Sequence, residues 1–222
     1  MKDARIIKLA ENIINYSVEI KKGEKILIET FGDSLELTRE LVRQTYKAGG
    51  IPYLTNKNNE LIRVLLKDCN EKQIKEMASF EIERMKKMDA YVGIRSSNNV
   101  SELGQVASDK MDIYMKYYQK PLHSDVRVKS TKWCILRYPN DSMAQLANMP
   151  TELFEDFYFN VCNLDYKKMS KAMDALVKYM ERTDRVRITG KDTDLSFSIK
   201  GMPAIKCDGK LNIPDGEVFS AP

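Results

Sequence analysis

The pattern of apolar and polar residues in this 222-residue chain predicts an α/β fold. A three-layer domain on a mostly parallel sheet is expected over residues 1–183, followed over 184–222 by the opening, cut short, of a β-rich (α+β) domain. Three observations predict it. Short apolar runs rich in β-branched residues alternate with amphipathic helical segments through most of the chain. One strand, helix and strand fall within about thirty residues, the length of a right-handed βαβ crossover between parallel strands. From about residue 184 the apolar period changes from helical to two.

Taken in order, Ile6, Leu9, Ala10, Ile13 and Ile14 stand at helical spacing within residues 4–18, and Gly23 offers a stop. Lys25-Ile-Leu-Ile-Glu-Thr30 is short and apolar, which predicts a buried strand. After Gly32, Asp33 with Glu36 has the form of a capping box opening a helix to about residue 48, ended by Gly49-Gly50. Ile51-Pro-Tyr-Leu-Thr55 is the next strand. Helices are expected near 59–68 and 71–87, the second opened by Asn70 with Gln73. Ala90-Tyr-Val-Gly-Ile-Arg95 reads as a third strand and 96–101 as a polar loop. A helix near 104–119 is bounded by Pro121. Lys132-Trp-Cys-Ile-Leu-Arg137 is a fourth strand, and Ser142 with Gln145 reads as another capping box. Phe154, Phe157, Tyr158 and Val161 mark one helix face. Met169, Ala172, Met173, Leu176, Val177 and Met180 mark another. Beyond 184, Val186 and Ile188 alternate with arginines, while Leu195, Phe197 and Ile199 alternate with polar residues. Ile205, Leu211 and Ile213 continue in short strands, giving a β-meander with an unfinished edge. Asp208-Gly209 is a hairpin signal within it.

Composition narrows the function. A hydrophobic share of 43% and a charged share of 31% are those of an ordinary globular protein able to bury a core. The net charge of +4 is small against 36 basic and 32 acidic side chains, and the two signs are interleaved, as in Glu81-Ile-Glu-Arg-Met-Lys-Lys87. That is a solvated face, so no nucleic-acid partner is expected. No apolar run is long enough to span a membrane, and the start of the chain has no signal-peptide apolar core. Cys69, Cys134, Cys162 and Cys207 show no zinc-site or redox spacing; Cys134 and Cys162 fit buried thiols. A reducing, cytoplasmic setting is expected.

Several residues carry chemistry worth weighing. Gly32-Asp33-Ser34 lies between a strand and a helix start, where anions and nucleotides bind in many α/β proteins, but a single glycine makes no phosphate-binding motif and a capped helix explains it. His123-Ser124-Asp125 holds three hydrolase residue types side by side. Adjacent side chains do not converge as a triad must, so a loop or helix-start role is read there. Asp208 and Asp215 read as turn formers. Thr193-Asp194 reads as a polar turn, with no catalytic role for it, Lys191 or Asp192. The helical methionines, Trp133 and the phenylalanines of 154–159 read as core. Glu217 follows Gly216, a residue tolerant of positive φ that can aim the next side chain sharply and let a ligand approach the backbone.

Asn212-Ile-Pro-Asp-Gly-Glu-Val-Phe-Ser-Ala-Pro222 resembles the first metal-ligand motif of the thermophilic aminopeptidase family, the aminopeptidase T and aminopeptidase S group. Lys132-Trp-Cys-Ile-Leu-Arg-Tyr-Pro-Asn140, Asn148-Met-Pro-Thr-Glu-Leu-Phe-Glu-Asp-Phe157 and Gly190-Lys-Asp-Thr-Asp-Leu195 resemble further family segments, so the similarity covers essentially the whole chain. It implies an α/β N-terminal domain followed by a sheet-rich catalytic domain. It further implies a cytosolic aminopeptidase taking peptides with a free N-terminus, usually as a homodimer. Two divalent ions (zinc, cobalt or magnesium) would polarise the N-terminal peptide carbonyl and activate a bridging water. The resemblance makes Glu217 one metal ligand and places the other ligands and the acid/base residue after residue 222. The chain alone is then expected to be inactive and to hold no metal, having one histidine and no second ligand motif. The alternatives are a non-catalytic α/β binding or dimerisation module, and a small-ligand domain using the Gly32 crevice.

Overall fold

The structure is a computed structural model that describes residues 3–221. Helix α1 (Ala4–Asn12) runs into a π-wound turn, Ile13–Ser17. Then come β1 (Lys25–Gly32), α2 (Leu35–Lys47), β2 (Ile51–Lys57), α3 (Asn59–Lys67), α4 (Glu71–Met85) and β3 (Ala90–Ser96). Helix α5 (Ser108–Tyr114) continues through a π-wound stretch, Met115–Arg127, into α6 (Val128–Ser130). β4 (Lys132–Arg137), α7 (Asp141–Leu146), α8 (Thr151–Cys162) and α9 (Tyr166–Glu181) follow. The remainder holds β5 (Arg185–Gly190), β6 (Thr193–Ser198), β7 (Ile205–Cys207), β8 (Asn212–Ile213) and β9 (Glu217–Phe219).

The expected α/β class holds. Five strands form one sheet in the order β2-β1-β3-β4-β8, with parallel pairing throughout. Because side chains alternate across a strand, each face collects its own set. On one face Ile26, Ile28, Val92, Ile94, Cys134 and Leu136 pack against α1, the π-wound turn after it, α2 and α8 through Leu9, Ile13, Leu37, Leu41 and Phe159. On the other, Leu27 and Tyr91 pack against α3, α4 and the long helix after β3 through Leu66, Ile74, Met85, Tyr118 and Leu122. Burying each large apolar side chain is worth about 1.5–3 kcal/mol, which makes these two clusters the main hold on the three layers. Cys134 and Cys162 lie wholly inside the first cluster as free thiols, as expected, and burial pushes both up to about 12.

Local signals succeed and fail for identifiable reasons. Asn70 Oδ1 accepts from the backbone N–H of Gln73 at 2.9 Å and opens α4 as anticipated. Asn58 does the same for α3, accepting from Glu60 at 2.7 Å. At α2 the cap falls on Ser34; Asp33 instead bonds the N–H of Leu35 at 3.3 Å, the short-range turn that aspartate prefers. At α7 the cap is Asn140, which accepts from Met143 at 3.0 Å, so Ser142 lies inside the helix. Pro121 does not end its helix. The helix is π-wound from Met115 to Arg127, so the i→i−4 bond that proline forbids is not part of the local pattern.

Asp208-Gly209 does not close a hairpin between neighbouring strands. β7 pairs antiparallel with β9, β5 with β6, and β8 leaves both pairs to join the main sheet beside β4. Residues after 184 thus form two separate antiparallel pairs rather than one continuous meander. The cause is Ile213: it is 2% exposed and extends the apolar face that Leu136 presents next door.

Candidate functional site

Parallel α/β sheets place ligand sites at the carboxyl ends of their strands, where the loops diverge. Here those ends are Gly32 on β1, Lys57 on β2 and Ser96 on β3. A crevice of about 850 Å³ opens between them, lined by Gly32, Asp33, Ser34, Lys57, Ser96 and Ser97 among others. Gly32 carries φ +94°, and a Cβ on it would meet the Ser96 carbonyl oxygen at 2.5 Å; the strands can close here only without a side chain. Asp33, Glu60 and Glu102 also line the crevice, an acidic lining that disfavours anionic ligands.

Beneath it lies a polar cluster that sequence reasoning missed. Glu29, 1% exposed on β1, pairs with Lys57 Nζ at 2.7 Å and accepts from the Tyr91 hydroxyl at 2.9 Å. Lys57 also donates to the Tyr118 hydroxyl at 3.1 Å. Burial alone would lower the Lys57 ammonium, but Glu29 and Tyr118 hold it above its ordinary value. Burial also raises Tyr91 well above its ordinary value, and the adjoining Glu29 carboxylate adds to that. The signal was present: Glu29 interrupts an otherwise apolar buried run, and a charge in that place requires a partner.

His123, Ser124 and Asp125 do not converge. His123 Nδ1 accepts from Arg127 Nε at 3.2 Å, whereas Asp125 is exposed and pairs with Lys129 at 3.3 Å. Burial, with Arg127, Lys57 and Arg95 nearby, outweighs the pull of Glu29 and lowers His123 to about 4. It is therefore neutral at pH 7, with its proton on Nε2. Arg127 is 7% exposed and stacks over the rings of Trp133 at 4.5 Å and Tyr91 at 5.2 Å.

Glu217 begins β9, where it stands exposed opposite Cys207. Gly216 before it has φ +149°. Asp215 accepts from the backbone N–H of Gly209 at 2.9 Å and of Gly216 at 3.2 Å, and Asp208 accepts from Ser170 Oγ at 2.7 Å. Asp215 thus serves the turn, as its residue type suggests, whereas Asp208 ties the chain to α9 through Ser170. Burial raises the Asp215 carboxyl, the two backbone bonds oppose this, and Asp208 and Glu217 add to the rise. Asp194 forms a two-pronged ion pair with Arg187, both bonds 2.7 Å, on the exposed β5–β6 hairpin.

Among the described residues no group of three or more His, Cys, Asp or Glu side chains is placed to hold a metal ion. Glu217 is one exposed carboxylate, and the described residues do not by themselves make a two-metal centre. Nor is any helix among them long and apolar enough to cross a membrane.

Comparison with known proteins gives this geometry a context. The chain is similar in structure to wild-type AmpT from Thermus thermophilus, with a TM-score of 0.76 and 18% identity over 98% of this chain. It spans 61% of the length of that protein. A 2,5-dihydroxypyridine dioxygenase from Pseudomonas putida KT2440 is a more distant likeness, with a TM-score of 0.49 and 11% identity over 98% of this chain and 55% of that one. No curated protein matches. The sequence profile of one family, however, matches residues 2–222, and by that match the chain belongs to the thermophilic metalloprotease (M29) family.

Proposed function

We propose that this chain is the N-terminal region of a two-metal aminopeptidase that releases N-terminal residues from peptides, with Glu217 as one metal ligand. The observation that carries the reading is the family match across residues 2–222, which includes the Gly216-Glu217 turn. The geometry supports it. Glu217 is exposed on a short antiparallel pair whose apolar side chains Ile205 and Phe219 are 42% and 39% exposed, a surface suited to further sheet. Nearly all other groups of the active site come from outside these residues, so no catalytic step is assigned to them. Zinc, cobalt or magnesium is the metal class, the substrates are peptides with a free N-terminus, the protein is a homodimer, and the compartment is the cytoplasm.

The test is hydrolysis of leucine p-nitroanilide with added zinc or cobalt, by this chain and by a protein extended with the downstream coding sequence. Turnover is expected only from the extended protein. There Glu217→Gln should lower activity by more than the roughly 10–100-fold that changes behind a metal ligand cost. It should also reduce bound metal, read by elemental analysis. Full turnover by the chain alone would overturn the proposal. Inactivity of both proteins would favour a binding or dimerisation module.

A further inference from the structure

A second cavity, of about 370 Å³, lies on the sheet face that carries Tyr91, and it differs in chemistry from the Gly32 crevice. Gly93 makes the room for it. Gly93 is registered between Glu29 and Ile135 at the middle of the sheet, and a Cβ there would meet the Tyr91 ring at 2.9 Å. The π-wound stretch covers the hollow with His123 and Arg127, and the carboxyl ends of β3 and β4 supply Arg95 and Arg137. Among the described residues lining the cavity are three arginines and no aspartate or glutamate.

Of the three arginines only Arg127 is buried, while Arg95 and Arg137 are exposed at the mouth of the cavity. Arg95 and Arg137 are direct register partners on adjacent parallel strands, so their cations share one face. Like charges placed opposite each other in a sheet are destabilising. Arg127 is 7% exposed, yet its Nη1 is buried without a hydrogen-bond partner. Leaving a charged donor unpaired in a protein interior is costly. The nearby groups answer that charge only in part, Tyr91 and Glu29 favouring it against burial. Glu29 is engaged by Lys57 and Tyr91, and His123 gives Arg127 Nε only a neutral acceptor. Burial draws Arg127 below its ordinary value, Tyr91 opposing this, Arg95 adding to it and Glu29 opposing it more weakly.

We propose that this cavity binds a small molecule through an oxyanion, carboxylate or phosphate, seated on Arg127 and flanked by Arg95 and Arg137. The forks of Arg95 and Arg137 match the spacing of paired oxyanion oxygens, and stacking on Trp133 and Tyr91 with the Nε bond to His123 holds the Arg127 cation in place beside them. Glu217 is not among the residues lining the cavity, and the proposal does not depend on the peptidase reading.

Isothermal titration calorimetry of the whole chain tests it, with inorganic phosphate in one arm, succinate in a second and uncharged dimethyl succinate as control. At least one anion should bind saturably below about 10 mM, with the preferred arm naming the oxyanion. The diester should not bind. Arg127→Met and Arg137→Met should each weaken binding at least tenfold. Arg43→Met should not, because that arginine pairs with Glu40 elsewhere on the surface. Arg137 is exposed, so its variant keeps the test decisive if Arg127→Met fails to fold. Absence of binding by both anions, or affinity unchanged in Arg137→Met, would overturn the proposal.

Discussion

Glu29 and His123 show how much a single buried polar group decides in this molecule. Glu29 is 1% exposed and depends on Lys57 and Tyr91 for its charge balance. Removing one member of a buried pair leaves the other uncompensated, at a cost of about 3–5 kcal/mol. Lys57→Met is therefore expected to lose about that much stability in urea unfolding, and Glu29→Gln with Lys57→Met should recover part of it. His123 makes a separate, pH-dependent contribution. It faces Glu29, Lys57, Tyr91, Arg95 and Arg127, and its value falls from 6.5 to about 4 on folding. Above pH 6.5 neither the folded nor the unfolded state binds the proton. As pH falls from there towards 4 the unfolded chain takes it up first, so stability declines across that window and levels off below it. The full shift corresponds to about 3 kcal/mol, and partial exposure reduces it to about 2. Unfolding measured at about pH 7 and about pH 4.5 should show His123→Gln losing about 2 kcal/mol less than the parent between the two.

The turn between β7 and β8 illustrates what fixes an element that has little burial of its own. Gly209 has φ +86° and lies against α9, where an added Cβ would meet the Tyr166 ring at 2.5 Å. Its N–H bonds Asp215, so one residue ties the return of the chain to the helix beneath it. Gly209→Ala combines a disfavoured φ with a clash and is expected to cost about 2 kcal/mol or more in thermal unfolding. The same turn shows why some elements were legible and others were not. β1, β3 and β4 follow from their apolar runs, because burial on a regular element imprints itself on the sequence, whereas the helix faces of 154–161 and 169–180 are buried only in part: Phe154, Tyr158 and Met173 are inside, while Phe157 and Leu176 are 53% and 48% exposed. Asp208-Gly209 is equally plain as a turn, but its partners are set by tertiary packing: β7 seeks β9, and β8 seeks β4. Pro121 misled for a related reason, since it stops an α-helix and not the π-wound helix found here. At the candidate sites, Glu217 is proposed as a ligand on its motif alone. The arginines of the Gly93 cavity come together only through strand register and the helix above, which no local pattern records.

Strand register also decides how the last forty residues relate to the rest of the molecule. The change of period at about residue 184 suggests a simple boundary, yet β8 crosses it and forms the outer strand of the main sheet. Ile213 on β8 is 2% exposed in the first core cluster, together with Leu136 and Phe154. Ile188 on β5 is 50% exposed, on a hairpin whose Leu195 and Phe197 are also open, at 53% and 38%. The same substitution at the two positions should therefore separate the two roles. Ile213→Ala removes buried methyl groups from the sheet's own core and is expected to destabilise the whole chain by about 2–4 kcal/mol, within a single cooperative transition. Ile188→Ala removes groups that solvent already reaches and should change stability by no more than about 0.5 kcal/mol. Urea unfolding followed by Trp133 fluorescence reads both, because Trp133 lies on β4, the strand that β8 joins. Equal losses at the two positions would mean that the β5–β6 hairpin packs on the main body as firmly as β8 does, and the strands after residue 184 would then belong to the same cooperative unit as the sheet. A loss confined to Ile213 would show that β8 anchors the segment while the hairpin stays free for another surface to cover.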